Sequence, residues 1–365
     1  MKGSGGVLAA VDSFVRRRRL LEALRLLRAH PELPPDETRR RLARLRALEP
    51  AARRRAGRAA PEARKLLIID ATTRCNQSCA FCFERSVHFT KPDLPFSEVE
   101  RILENAGRDG FTHVNFIGGE ITLVPWLPRA ARLICRLGMS AGLVTNGLAL
   151  SSRRAAEELI AAGIRWIELS FLSHEPEVDF RTGGVRRGLE LRLKTLENLR
   201  VLKDGSPLSL GINIVLTAFN SGALPRTLET LLPYGPDLVM LKGVQLTDNI
   251  EDARVVPRFD ELRGPLVAAM GLLEAKGVPF LFEDIPLCFV RPEYWLEQPE
   301  REGVGGVGFS YEGADGGPDF RVFTGRDGAG LAKCSGCAVA PDCCLPSKRY
   351  VALFGAGEFG EAGRD

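Results

Sequence analysis

The chain has 365 residues, 45% hydrophobic and 26% charged, which suffices for one large α/β domain with appendages. No run of about 18 uninterrupted apolar residues occurs, and the apolar stretch 7–11 is too short for a signal-peptide core, so we expect no membrane association and a cytoplasmic location. Nine cysteines in a reducing compartment favour metal ligation over a disulfide framework. Cys135, inside an apolar helical run, is expected to be a buried small hydrophobe.

The net charge of +4 is unevenly distributed along the chain. Residues 1–65 hold 18 Lys and Arg against 7 Asp and Glu, whereas the remainder is acidic overall. Leucines at helical spacing predict two helices at 11–30 and 36–48, with a linker or loose helix up to residue 64. This basic helical extension could meet an acidic peptide or nucleic acid, but a solvated helix pair is the commoner outcome, and we do not expect a nucleic-acid partner.

Apolar segments then alternate with longer amphipathic ones. The apolar segments predict six strands, at 66–71, 112–117, 140–145, 166–171, 209–216 and 238–242. The amphipathic segments predict helices near 97–107, 127–137, 151–162, 187–203, 223–232 and 259–276. Six successive βα units predict parallel strands with right-handed crossovers, in a barrel or a doubly wound sheet. The repeat ends near Pro279, and the glycine-rich stretch 303–330 leads into a cysteine-rich tail that we expect to need a metal.

Three cysteines with CxxxCxxC spacing follow the first predicted strand, namely Cys75, Cys79 and Cys82. Three thiolates are one short of the four that close a structural zinc or iron–sulfur site. Loops after parallel strands form the active face of α/β barrels, so an open coordination position there favours chemistry. The spacing favours a [4Fe–4S] cluster whose fourth iron can bind an amine and a carboxylate. A zinc site completed by His88 is the alternative.

A second motif, Gly118-Gly119-Glu120, directly follows the second predicted strand. Two glycines would let the backbone approach a ligand closely, and the carboxylate could accept a hydrogen bond from an ammonium group. Most isolated triplets of this kind are turns. Its position one βα unit beyond the cysteine loop is what favours a ligand-binding function.

These two motifs, with Phe81 before the last cysteine, resemble the radical S-adenosylmethionine (SAM) superfamily. The resemblance implies an α/β fold with a partial (β/α)6 TIM-like barrel of the radical SAM type. It also implies that the open iron binds the amino and carboxylate groups of SAM. One-electron reduction, by a partner such as flavodoxin or ferredoxin, would cleave SAM to a 5′-deoxyadenosyl radical that abstracts hydrogen from a substrate.

The resemblance extends to other strand ends where the superfamily contacts SAM: Thr145-Asn146-Gly147, Ser170, Asn213 and Gln245. Each position could equally be a cap or a strand-end hydrogen bond. The segment 173–183 resembles a loop of peptide-modifying members, from which His174 or Glu175 could reach substrate, although a solvated loop is commoner. Asn220 is expected to be a turn residue.

The C-terminal cysteines Cys334, Cys337 and Cys343 resemble the SPASM or Twitch extension of radical SAM enzymes, which binds auxiliary clusters. Ser347 stands where the full pattern has another cysteine, which argues against two auxiliary clusters. With Cys288 as the natural fourth ligand, the resemblance implies one auxiliary [4Fe–4S] cluster and leaves Cys344 spare. A four-cysteine zinc ribbon is the alternative.

The sequence therefore predicts a basic extension at 1–64, a radical SAM barrel at 65–278 and a SPASM/Twitch-like domain at 279–365. The predicted substrate is a ribosomal peptide that gains a crosslink, an epimer or an oxidised side chain. Two alternatives remain: radical chemistry on a small sugar, aminocyclitol or other metabolite, and a non-enzymatic zinc or electron-transfer protein. No catalytic proton donor can be identified from the sequence.

Overall fold

The computed structural model describes residues 66–82, 92–246, 250, 252–290, 307–310, 319–322, 331–335, 343–344 and 346–359. The predicted N-terminal helices, His88 and Cys337 lie outside the described residues. The described part of the chain contains no helix that is both long and apolar enough to span a bilayer. The described residues form two compact units, which are treated separately below.

The first unit is built on a nine-stranded sheet. Its strands are β1 (Leu66–Asp70), β2 (His113–Ile117), β3 (Ser140–Thr145), β4 (Ile164–Ser170), β5 (Ser209–Leu216), β6 (Leu238–Gly243), β7 (Phe280–Glu283), β8 (Val307–Ser310) and β9 (Asp319–Val322). Strands β1 to β7 lie side by side in chain order, and all are parallel. Each right-handed crossover adds the next strand on the same side of the previous one, so all the connecting helices lie on one face of the sheet. The sheet therefore curls into a half-barrel and is not doubly wound.

Seven helices connect these strands or follow them. They are α1 (Phe96–Arg108), α2 (Leu127–Arg136), α3 (Arg153–Ala162), α4 (Pro176–Gly183), α5 (Gly188–Lys203), α6 (Leu224–Leu231) and α7 (Phe259–Ala275). Six match the helices predicted from apolar periodicity. The short helix α4 was expected to be a loop, but Pro176 in its first turn supplies a helical φ, and Gly184, at φ +76°, ends it.

The two faces of the half-barrel differ in chemistry because successive side chains of a strand point to opposite faces. The face that packs on the helices is apolar and at most 1% exposed, as at Leu67, Ile69, Val114, Phe116, Leu143, Ile167, Leu169, Ile212 and Leu241. The inner face carries polar residues at alternate positions, including Asp70, Asn115, Glu168, Ser170, Asn213 and Lys242. The fold thus gathers polar side chains in the lumen of the half-barrel.

The sequence predictions need three corrections, two of which concern the sheet. Strand β7 continues the parallel order beyond the predicted end of the barrel at residue 278. Three of its four residues are buried, so the sequence shows no alternation of apolar and polar residues there. Strands β8 and β9 lie within the glycine-rich stretch; β8 pairs in parallel with β1, and β9 is antiparallel to β8. Cys135 is exposed rather than buried, and its Sγ lies 3.6 Å from the Gly163 carbonyl oxygen.

The second unit contains residues 284–290 and the described residues from 331 onward, including α8 (Ala332–Ser335) and α9 (Lys348–Phe354). Its core is aromatic. The ring of Phe359 lies 5.8 Å from that of Phe289 and 5.6 Å from that of Tyr350, whose hydroxyl donates to Glu358 at 2.8 Å. These contacts join the segment around Cys288 to the C-terminal tail.

Candidate active site

The three cysteines of the CxxxCxxC motif lie in the loop that leaves the carboxyl end of β1, and all three are half-buried. The pKa of the Cys79 thiol is raised to about 12, first by burial and then by the neighbouring Cys82 and Cys75 thiols. Because burial disfavours the charged form of a thiol, a thiolate at Cys79 would need a cationic partner such as a metal centre.

An ion pair fixes the first part of this loop. Arg74 donates from Nε to Asp93 Oδ1 at 2.8 Å and from Nη2 to the Leu123 carbonyl oxygen at 2.9 Å. Thr72 Oγ1 donates to the same Asp93 oxygen at 2.6 Å. The residue that precedes Cys75 is thereby tied to two other segments of the barrel.

The two glycines of the Gly118-Gly119-Glu120 motif pack against the same part of the loop. The Gly119 and Glu120 amides donate to the carbonyl oxygens of Thr72 and Arg74, each at 2.7 Å. A Cβ on Gly119 would lie 2.4 Å from the Arg74 oxygen, and Gly118 has a φ of +138°, which disfavours side chains. The glycines therefore admit the backbone of the cysteine loop; their predicted approach to a ligand stays a prediction.

The Glu120 carboxylate is 1% exposed and holds the ends of β2 and β3 together. Oε1 accepts from Thr145 Oγ1 at 2.7 Å and from the Thr122 amide at 3.1 Å, and Oε2 accepts from the Asn146 amide at 2.7 Å. Burial raises the pKa of Glu120, and these donors partly offset that rise. The predicted contact between Glu120 and the SAM ammonium group stays a prediction.

Asn146, at the end of β3, contacts the cysteine loop directly. Its Nδ2 donates to Asn76 Oδ1 at 2.7 Å and lies 3.9 Å from Cys75 Sγ. The neighbouring Gly147 carbonyl oxygen accepts from Thr195 Oγ1 on α5 at 2.6 Å. The Thr145-Asn146-Gly147 motif therefore links Glu120, the cysteine loop and α5.

Helix α4 supports the opposite side of the cysteine loop. The amides of Ser78 and Ala80 donate to the carbonyl oxygens of Gly183 at 3.3 Å and Thr182 at 2.9 Å. Phe81 follows in the turn before Cys82 and is half-buried. The loop is thus held by backbone hydrogen bonds between two elements of the barrel.

The remaining predicted SAM contacts lie on or near the lumen. Ser170 and Asn213 are register partners on β4 and β5, so their side chains share the inner face. Asn213 is buried, and its Oδ1 has no hydrogen-bond partner among the described residues. Gln245 is exposed in the segment after β6. The structure therefore brings Ser170 and Asn213 together and leaves Gln245 at the surface.

A charged triad in the lumen was not predicted. Lys242 Nζ on β6 lies 3.3 Å from Glu283 Oε2 on β7 and 3.9 Å from Glu168 Oε1 on β4. The Glu168 side chain is only 12% exposed. Because charged residues are seldom buried unless paired, their occurrence in otherwise apolar strands was the available sequence signal. The triad places three ion-pairing side chains in the lumen.

Two other predicted residues have local partners. His174 Nδ1 lies 3.0 Å from Thr227 Oγ1 on α6, and Glu175 is exposed at the start of α4. Asn220 accepts from the Thr217 amide at 2.7 Å and donates to the carbonyl oxygens of Leu172 and Val215. The prediction that Asn220 is a turn residue is confirmed.

The C-terminal cysteines lie in the second unit. Cys288, Cys334, Cys343 and Cys344 are half-buried. The Leu287 amide lies 3.2 Å from Cys343 Sγ, so the chain next to Cys288 approaches Cys343. In the part of the chain that the structure describes, no three His, Cys, Asp or Glu side chains converge on a single-ion site.

The donor set after β1 fits an iron–sulfur cluster in chemical kind. Soft thiolates are the ligands that such clusters take from proteins, and Cys75, Cys79 and Cys82 are half-buried thiols of one short loop. The amide of Asn146 beside Cys75 adds the kind of donor that tunes cluster sulfurs.

Comparison with known families gives a match to the barrel. The radical SAM superfamily profile matches residues 69–217. A PqqA peptide cyclase of Granulibacter bethesdensis is 27% identical over 242 residues, covering 64% of this chain and 61% of that protein. One of Rhodopseudomonas palustris is 25% identical over 241 residues, covering 64% and 60%. The chain thus spans about 60% of the length of these curated relatives.

Solved structures resemble the fold over a longer span. Streptococcus suis SuiB bound to S-adenosylmethionine superposes with a TM-score of 0.59 at 14% identity, covering 98% of this chain and 88% of that one. SuiB bound to the precursor peptide SuiA gives a TM-score of 0.58 at 15% identity, covering 89% and 80%. At these identities the likeness establishes the fold.

Proposed function

The chain belongs to the radical SAM superfamily through its barrel domain, and we propose that it is an enzyme that cleaves SAM reductively to modify a ribosomally made peptide. One observation carries the proposal. The half-buried cysteine triplet lies where the ends of β1, β2 and β3 meet, and Glu120 and Asn146 connect those ends. A loop fixed in this way can present three thiolates and leave a fourth position open.

We assign the cluster ligands to Cys75, Cys79 and Cys82. When bound, the [4Fe–4S] cluster and SAM supply one-electron cleavage that yields a 5′-deoxyadenosyl radical. The chain's own residues would position the cofactor and exclude water. Phe81, Gly118, Gly119 and Glu120 would shape the cluster side of the pocket. Asn213 Oδ1, buried and without a described hydrogen-bond partner, is suited to accept a hydrogen bond from SAM, with Ser170 beside it and Gln245 at the rim.

A peptide is the preferred substrate for two reasons. The curated relatives that match the barrel are PqqA peptide cyclases, and SuiB, which shares the fold, has been solved with a precursor peptide. The lumen of this chain also carries Lys242 between two carboxylates, which could orient a polar side chain of a substrate or exchange a proton with it.

We also propose one auxiliary [4Fe–4S] cluster in the region 279–365. Its ligands would be Cys288, Cys334, Cys337 and Cys343, and the approach of the Leu287 amide to Cys343 Sγ supports grouping the first and last of these. Four thiolates would close that site, which suits electron transfer rather than substrate binding. The reductant would be a flavodoxin or ferredoxin in the cytoplasm, and residues 1–64 would form a separate basic extension.

The experiment that tests the peptide proposal uses the reconstituted enzyme with SAM, dithionite and candidate precursor peptides encoded beside its gene. Mass spectrometry should show a product peptide with a changed mass or an inverted residue. A peptide deuterated at the reacting carbon should transfer deuterium to 5′-deoxyadenosine. Formation of 5′-deoxyadenosine with no change in any peptide, together with turnover of a sugar or aminocyclitol, would favour the metabolite alternative instead.

A further inference from the structure

A buried ion pair lies beneath the cysteine loop, in a part of the barrel to which the proposed function assigns no task. Arg192 on α5 is 0% exposed, and Asp179 on α4 is 1% exposed. Arg192 Nη2 lies 2.5 Å from both carboxylate oxygens of Asp179. Removing two charges from water is costly, and a buried pair is often no more stable than apolar residues in its place. The pair therefore calls for a reason other than stability.

The pair is separated from the cysteine loop by one glycine. A Cβ on Gly183 would lie 2.8 Å from Gln77 Nε2 and 3.8 Å from Arg192 Nη2. Gln77 stands between Cys75 and Cys79 in the loop, and the next residue, Ser78, donates its amide to the Gly183 carbonyl oxygen. Gly183 thus lies between the guanidinium group and the side chain of Gln77, a residue of the cysteine loop.

The hydrogen-bond donors of Arg192 are only partly used by its partner Asp179. Nη2 serves both oxygens of Asp179, whereas Nε and Nη1 are buried with no hydrogen-bond partner among the described residues. The guanidinium thus retains two N–H donors that Asp179 does not take.

The guanidinium of Arg192 stabilises negative charge that is placed at the cysteine loop. Reduction of an iron–sulfur cluster adds one electron from an external donor and makes the cluster more negative by one charge. Burial and the charges around a cluster set its potential, and a low-dielectric surrounding strengthens their effect.

We propose that the Arg192–Asp179 pair sets the reduction potential of the cluster held by Cys75, Cys79 and Cys82, with Arg192 favouring the reduced state and Asp179 opposing it. This rests on the proposed function, since it requires that a cluster be bound there. Arg192 and Asp179 act through the cluster in this proposal, which assigns them no contact with SAM or substrate.

The test is a redox titration of the reconstituted full chain without SAM, with dithionite as reductant. The cluster of interest is followed by the electron paramagnetic resonance signal that a Cys75→Ala/Cys79→Ala/Cys82→Ala variant lacks. Arg192→Met should lower the midpoint potential, and Asp179→Asn should raise it. Arg192→Lys, which keeps the positive charge, should stay closer to the wild type than Arg192→Met. Asn198→Leu, which removes a buried amide further along α5, should leave the potential unchanged.

Opposite shifts distinguish an electrostatic effect from loosening of the loop, which would move both variants the same way. Iron content and circular dichroism identify variants that lose the cluster or the fold. If Arg192→Met fails to fold, the proposal is tested by the other two variants: Asp179→Asn should raise the midpoint potential, and Arg192→Lys should stay close to the wild type. Shifts of the same sign, or no shift at full iron content, would overturn this proposal alone. Absence of a redox-active cluster in the wild type would instead overturn the proposed function.

Discussion

The side-chain amide of Asn146 donates to Asn76 Oδ1 at 2.7 Å and thereby ties the end of β3 to the cysteine loop. The same nitrogen lies 3.9 Å from Cys75 Sγ. The loop that carries the proposed cluster ligands is thus held by a partner 70 residues away in the chain.

We expect Asn146→Leu to loosen the loop, because it removes this hydrogen bond and leaves Asn76 without that donor. The substitution also removes the acceptor of the buried Leu148 amide, which donates to Asn146 Oδ1 at 3.0 Å. The cost in the free energy of unfolding should therefore be about 1–3 kcal/mol. The cluster should also be lost to a chelator several-fold faster, as measured by the decay of its visible absorbance. Asn198→Leu removes a buried amide that bonds the carbonyl oxygens of Leu150 and Ser151, and it should lower stability without faster cluster loss. Equal rates of cluster loss in the two variants would argue that the Asn146–Asn76 hydrogen bond does not stabilise the cysteine loop.

Gly119→Ala should disturb the loop from the other side. The new Cβ would lie 2.4 Å from the Arg74 carbonyl oxygen, so the backbone next to Cys75 must move. We expect a loss of about 1–3 kcal/mol in the free energy of unfolding, together with reduced iron content after reconstitution. Gly222 is exposed with no atom within 4 Å of the equivalent position, so Gly222→Ala is the matched control. Normal iron content in Gly119→Ala would contradict the packing argument.

The buried Glu120 carboxylate should make stability depend on pH. Burial raises its pKa above the ordinary value of 4.5, so the native protein keeps a proton that the unfolded chain has lost just above that pH. The native state then binds more protons, and the free energy of unfolding falls as pH rises through the window from 4.5 to the raised pKa.

Glu120→Gln removes this titration. The difference in unfolding free energy between wild type and variant should therefore shift in favour of the wild type as the pH is lowered toward 4.5. Denaturant titrations of both proteins at a series of pH values measure it. A difference that shifts in favour of the variant on acidification would mean that Glu120 is held ionised in the native state.

Lys242→Met should separate SAM cleavage from substrate modification. The substitution removes the charge between Glu168 and Glu283 in the lumen but leaves the cysteine loop intact. We expect 5′-deoxyadenosine formation to persist while product per 5′-deoxyadenosine falls about 100-fold, the lower end of the range for losing a positioned proton-transfer group. Lys203, paired with Asp237 at 2.7 Å, provides the control variant Lys203→Met. An unchanged ratio in Lys242→Met would exclude the triad from the reaction.

Local pattern was sufficient to predict much of the fold. The six strands β1 to β6 and their helices follow from apolar periodicity, and their bounds agree within about two residues because each element buries one apolar face. The prediction failed at β7, a short strand that is largely buried, because it shows no alternation of buried and exposed residues. It also failed at α4, where a solvated loop was expected and where Pro176 and Gly184 instead begin and end a short helix.

The site was predictable only where a motif is contiguous. The cysteine triplet, Glu120 and Asn146 meet as their positions at the ends of adjacent parallel strands imply. The Lys242 triad draws on three separate strands, so its pairing could not be derived from one sequence. The sequence did contain a signal for Arg192. This residue occupies the buried position between Leu189 and Leu196 on α5, where an apolar residue is expected.

The most direct test of the central claim is to compare the wild type with a Cys75→Ala/Cys79→Ala/Cys82→Ala variant after anaerobic reconstitution. Two four-iron clusters predict about eight irons per chain in the wild type and about four in the variant. With SAM and dithionite, only the wild type should form 5′-deoxyadenosine. Zinc in place of iron, or equal 5′-deoxyadenosine from both proteins, would contradict the assignment of the cysteine loop as the site of SAM cleavage.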